Sequence, residues 1–202
     1  MPRLALLKAL LAALACAALL AARANEIEVR DVRLENTEEG IVLDADFAFE
    51  LGPRLSEVVA NGIPLYFVVE FELSRARWWW FDEKAASKRM QIRLSYHAMS
   101  RHYRLSTGLL QQNYATLGEA LHVLKRVRNW LVLERPAELS DALYDAAVRM
   151  RLDTAQLPKP FQLSALTSRE LNLDSPWKRF AFRPVPVAAP VESRDPKEVP
   201  GR

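Results

Sequence analysis

The chain has 202 residues, half of them hydrophobic, with 28 Lys and Arg against 25 Asp and Glu and a single cysteine. That composition excludes a chain disordered throughout and a disulfide scaffold. The formal charge of +3 is confined to one end. The first 24 residues hold Arg3, Lys8 and Arg23 and no acid, so the remainder balances at 25 against 25.

Those first 24 residues have the three parts of a secretory signal. Arg3 and Lys8 form a positive start, Ala9 to Ala22 an uncharged Ala/Leu run, and Ala22-Arg23-Ala24 a small-x-small cleavage site. Cleavage is expected before Asn25, delivering the chain to the periplasm. A helix of 14 residues rises about 21 Å, short of the roughly 30 Å hydrocarbon core, so an uncleaved anchor is disfavoured. Cys16 leaves with the leader, and no later stretch reads as a transmembrane helix. The apolar run Leu65–Leu73 is strand-like and carries Glu70 and Glu72.

Residues 26–36 read as a strand with a phase slip. Ile27 and Val29 share a face, then Val32 and Leu34 continue out of step, which predicts a bulge. After the turn at Glu38-Glu39-Gly40, Ile41, Leu43, Ala45, Phe47, Phe49 and Leu51 alternate with polar residues, the pattern of a half-buried strand. The two predict a hairpin. Pro53 opens a short helix with Leu55, Val58 and Val59 on one side, and Gly62 ends it. Leu65, Phe67, Val69, Phe71 and Leu73 restore period two. Tyr66 and Val68 make the other face half apolar, which predicts a central strand.

Arg89–Tyr96 and Tyr103–Thr107 predict a second hairpin. Thr116-Leu117-Gly118-Glu119 is a capping box. Leu117, Ala120, Leu121, Leu124, Val127 and Leu131 then fall on one stripe at helical spacing, predicting a helix that runs past residue 130. Residues 143–152 alternate again, with Arg149 and Arg151 on the outer face, where they can pair with an acid on a neighbouring strand. Leu157-Pro158-Lys159-Pro160 reads as a rigid connector, and 161–166 and 176–182 as late strands. The expected organisation is a leader over 1–24, one domain over 25–183 and a disordered proline-rich tail over 184–202. The fold class is mostly β with two helices, an antiparallel sheet or β-sandwich in a single domain.

In order and spacing, these segments resemble the exported bacterial family grouped as domain of unknown function 4390. The resemblance rests on Asn61-Gly62-Ile63-Pro64-Leu65, Arg75-Ala76-Arg77-Trp78-Trp79, Leu94-Ser95-Tyr96 with Tyr103, and Leu117–Leu124. It continues through Val148-Arg149-Met150-Arg151-Leu152-Asp153, Leu157-Pro158-Lys159-Pro160 and Asp174-Ser175-Pro176-Trp177. Trp80 extends the tryptophan pair, and Leu171 stands where a tryptophan is expected. The resemblance implies export and one domain, and assigns no catalytic residue. It also implies a signalling role in the envelope, with a membrane sensor protein as partner, because related genes lie beside a sensor kinase.

The search for chemistry is mostly negative. There is no Gly-x-Ser-x-Gly elbow and no Ser-x-x-Lys. His97 and His102 flank a hairpin tip, but a zinc site needs three or four ligands, so no metal and no cofactor are expected. Asp44 with Asp46, and Glu70 with Glu72, share strand faces opposite the apolar set and read as solvated surface. The strongest oddity is Trp78-Trp79-Trp80-Phe81, flanked by Arg75, Arg77 and Lys84. Consecutive strand side chains point to opposite faces, so four aromatics cannot all enter one core. They form either a binding surface or a second small core. The leading expectation is a protein-interaction module docking through Arg75, Arg77, Trp78, Trp79, Trp80 and Phe81. The alternatives are a small-ligand or lipid carrier and a hydrolase with an unrecognised carboxylate pair. Export and zero net charge argue against nucleic acid.

Overall fold

The computed structural model describes residues 26–75, 83–134, 139–167 and 171–184. Residues 1–25, 76–82, 135–138, 168–170 and 185–202 lie outside them. The described residues form two antiparallel sheets. A three-stranded sheet has the order β1 (Glu28–Asn36), β2 (Ile41–Ala48), β7 (Arg126–Leu133). A six-stranded sheet has the order β6 (Leu110–Tyr114), β5 (His102–Thr107), β4 (Glu83–His97), β3 (Leu65–Arg75), β8 (Tyr144–Leu152), β9 (Lys178–Phe182).

Both sheets turn their apolar faces to one core. From the smaller sheet come Val29, Ile41, Leu43 and Phe47, and from the larger one Phe67, Val69, Phe71, Val148 and Met150. Phe49 stacks on Phe67 with ring centroids 5.6 Å apart, joining the two layers. Helix α1 (Pro53–Ala60) adds Leu55, Val58 and Val59, and α2 (Leu117–Leu124) adds Ala120 and Leu124. No helix among the described residues is long and apolar enough to cross a membrane.

The hairpin of β1 and β2 carries the expected irregularity, a register shift between Val29 and Asp31. The central placement of β3 also holds, since it pairs β4 on one side and β8 on the other. Gly62 closes α1 at φ +84, a conformation that costs a side-chain residue energy, and its N–H donates to Val59 O. At the start of α2, Thr116 Oγ1 accepts from Glu119 N at 3.2 Å. The Glu119 carboxylate accepts in return from Ala115 N, one residue earlier than expected.

Three expectations are corrected. The helix starting at Leu117 ends at Leu124, and residues 126–133 are β7. The free edge of β2 is the reason. Pairing there buries Val127 and Val132 and supplies ladder hydrogen bonds that a longer helix would forgo. A bulge reconciles the registers. Asn129 adopts φ +50, and its N–H donates to Asp44 Oδ1 at 2.8 Å. The second correction is residues 159–167, read as connector and strand, which form helix α3 (Lys159–Thr167). Pro160 lies in its first turn, where a missing N–H costs nothing, and Pro158 O accepts from Phe161 N and Gln162 N. The third concerns Glu70, which is not solvated.

Candidate functional site

Alternation along β3 sends Tyr66, Val68, Glu70 and Glu72 to the outer face of the larger sheet. The register then decides their neighbours. Glu70 stands between Arg89 of β4 and Arg149 of β8, Val68 between Gln91 and Arg151, and Tyr66 beside Arg93. A long strand flanked by Arg89 and Arg93 on one side and by Arg149 and Arg151 on the other therefore builds a guanidinium cluster around one carboxylate.

That carboxylate is only 3% exposed. Glu70 Oε2 accepts from Arg149 Nε at 2.5 Å. Glu70 Oε1 lies 3.0 Å from Arg89 Nε and 3.6 Å from Arg151 Nη2, without an aligned hydrogen bond. Burial pushes the Glu70 pKa up, but the hydrogen bond from Arg149 and the charges of Arg149, Arg151 and Arg89 outweigh it. The net result is a pKa below the ordinary 4.5. The acid stays ionised and acts as an anchor that orients three guanidinium groups.

Their surroundings add polar and aromatic surface. The Trp177 ring lies 4.5 Å from the Arg149 guanidinium carbon, and the Tyr66 ring 5.9 Å from that of Arg93. Arg151 also approaches Asp153 at 3.8 Å. Arg89, Arg93, Arg149 and Arg151 thus face Glu70 and Asp153, with Asp174 paired opposite Arg151, which leaves a surplus of one positive charge. Of the neighbouring cations, Lys84 pairs with Glu72 and Arg179 with Asp145, while Arg104 donates to the Asn113 amide oxygen. Beside Arg89 and Arg93 the sheet surface is hollowed by about 690 Å³, lined also by Gln91, Ser106 and Gln111. A face of this kind can hold carboxylate or phosphate groups through guanidinium donors not used on Glu70.

Of the residues singled out from the sequence, Arg75 is described and Arg77, Trp78, Trp79, Trp80 and Phe81 are not. Arg75 donates to Ser140 Oγ at 2.8 Å, and Ser140 in turn contacts the Tyr144 hydroxyl, so Arg75 ties residues 140–144 to the end of β3. His97 and His102 do face each other across β4 and β5. Each, however, contacts Ser100 through Nδ1. Among the described residues no three His, Cys, Asp or Glu side chains group to hold a metal. Asp46 pairs with Arg128 and Asp44 holds the bulge at Asn129, so neither is free strand surface.

Glu70 was missed as an anchor because an acid on an alternating strand reads as solvated. The signal lay in its neighbours. Tyr66 and Val68 make its face half apolar, and both flanking strands repeat arginine every second or fourth residue.

Residues 24–181 match the family model described as Domain of unknown function (DUF4390). The chain belongs to that family. The match spans every strand and helix just described except the last residue of β9. No curated protein and no solved structure matches this DUF4390 chain.

Proposed function

We propose that this DUF4390 protein is an exported, periplasmic interaction module that docks an acidic surface of a protein partner on the outer face of its larger sheet. The observation that carries the reading is the surplus of guanidinium over carboxylate around Glu70. Arginine held in place by a buried acid gives up little conformational freedom on binding, which favours its use as a contact residue. In sequence the Trp78–Phe81 run falls between β3 and β4, outside the described residues. Gene proximity within the family suggests a membrane sensor protein as the partner.

The carrier reading has less behind it. The hollow beside Leu105, Leu124 and Val127 measures about 200 Å³, below the roughly 300–1,000 Å³ of ligand pockets, and the larger ones, about 540 Å³ beside Val58 and Phe161 and about 1070 Å³ beside Phe47 and Trp177, are open clefts lined in part by charged residues. A hydrolase reading would need a carboxyl group with a raised pKa, whereas Glu70 is held ionised.

The test is photo-crosslinking in living cells from Gln91, which lies among the arginines without being one of them. A discrete protein adduct, absent when the label moves to Glu38, supports the module. Its loss in an Arg89→Glu, Arg93→Glu variant assigns the face. No adduct from Gln91 or Trp79 in a folded, exported protein overturns the reading.

A further inference from the structure

Among the described residues the two sheets have four edge strands, and three of them carry charge. β1 has Glu28, Arg30, Asp31, Arg33 and Glu35, β7 has Arg126 and Arg128, and β9 has Lys178 and Arg179. Charged side chains and bulges are how sheet edges avoid pairing with another chain. β6 reads Leu110-Gln111-Gln112-Asn113-Tyr114, with no charge, no proline and no bulge against β5. It is solvent-exposed along nearly its whole length.

The hairpin geometry tells which backbone groups are open. Thr107 pairs with Leu110 across the two-residue loop Gly108-Leu109. The closing pair of such a hairpin exchanges its hydrogen bonds. Leu110, Gln112 and Tyr114 are therefore bonded to β5, and Gln111 and Asn113 direct N–H and C=O outward. Leu110, Gln112 and Tyr114 share the face of Leu105, which is the core side, yet Leu110 is 74% exposed. The smaller sheet does not reach over this end of the larger one.

We propose that the protein forms a two-fold dimer by antiparallel pairing of β6 with β6 of a second copy. The register that pairs all five residues sets Gln112 opposite its own copy, Gln111 opposite Asn113 and Leu110 opposite Tyr114. Gln111 and Asn113 are the outward-facing residues, so this register closes four backbone hydrogen bonds with none left open between them. It opposes no like charges and gives exposed Leu110 an aromatic cross-strand neighbour. The product is a continuous twelve-stranded sheet. The chain's own residues beyond Pro184 suit β6 less well, because Pro186, Pro190, Pro196 and Pro200 lack the N–H that a paired strand donates. The pairing goes beyond the acidic-partner reading and does not depend on it.

Sedimentation and cysteine crosslinking test the dimer. Wild type is expected to sediment with twice the mass of one chain at high micromolar concentration. In a Cys16→Ser background, Gln112→Cys is expected to give a covalent dimer, because a non-hydrogen-bonded pair brings Cα atoms to about 4.5 Å. Gln111→Cys, on the other face and in a hydrogen-bonded pair, is expected to crosslink far less. Gln112→Lys sets like charges on the axis and is expected to yield monomers, as is Gln112→Glu. An equal mixture of the two is expected to recover the dimer. Far-UV circular dichroism confirms that each variant folds. A wild-type monomer at every concentration overturns the proposal. So does a dimer that survives Gln112→Lys and fails to crosslink at residue 112.

Discussion

Glu70 and Arg149 stand opposite each other on adjacent strands, and Arg149 spends its Nε on the Glu70 carboxylate while Trp177 covers its guanidinium plane. One arginine therefore links the centre of the sheet to the segment that leads into β9. The acid, not the arginine, is the buried partner.

Replacing Glu70 with Gln leaves Arg89 and Arg149 with no counter-charge and Arg151 with only Asp153, 3.8 Å away. The expected loss of stability is about 2–3 kcal/mol, less than the roughly 3–5 kcal/mol of a fully buried pair, because all three arginines reach solvent. Arg89→Gln removes only the most exposed partner and is expected to cost under about 1 kcal/mol. Urea unfolding of both variants checks the order, and equal losses would argue against Glu70 as the anchor.

The lowered pKa of Glu70 has a consequence for acid stability. Between its depressed folded value and the ordinary 4.5, the unfolded state binds the proton and the folded state does not, so stability falls as pH falls. The contribution is complete above 4.5 and is lost as pH drops through the folded value. The stability gap between wild type and Glu70→Gln should be flat above pH 5 and shrink below 4.5. A gap independent of pH down to the onset of global acid unfolding would contradict this.

Gly40 sits at φ +148 in the turn from β1 to β2, and a Cβ built there meets Leu133 O at 2.0 Å. The turn residue thus lies against the end of β7. Gly40→Ala must displace backbone of a neighbouring strand and is expected to cost about 3 kcal/mol. A thermal melt reads it directly, and a change within experimental error would show that the turn can shift.

Asn129 tests the bulge that makes β7 possible. Asn tolerates φ +50 and a β-branched residue does not. Asn129→Val is expected to cost about 1–2 kcal/mol and Asn129→Gly close to nothing. Asp44→Ala, which removes the acceptor for Asn129 N, is expected to cost about 1 kcal/mol. Similar losses for Val and Gly at 129 would mean that the backbone conformation is not what limits the position.

Much of both sheets was legible because alternation is a local signal. β2, β3 and β8 each bury every second residue, and each reads as a strand without reference to the rest of the chain. The cap at Thr116 and the stop at Gly62 are likewise decided by backbone chemistry within four residues. Residues 126–133 show the limit. Val127 and Leu131 continue the helical stripe of Leu117–Leu124, and only the unpaired edge of β2 makes a strand the better use of them.

By itself, then, the sequence determined which segments alternate, where two helices start, and that Arg149 and Arg151 face away from the core. The tertiary structure decided what those arginines meet. Strand order set Glu70 between β4 and β8, and the register matched it to Arg89 and Arg149. An acid that reads as solvated on one strand became the buried centre of a charged face, because its environment comes from two strands distant in the chain. The open edge at β6 has the same origin. Its five residues are unremarkable in sequence, and only the order of six strands leaves them without a neighbour.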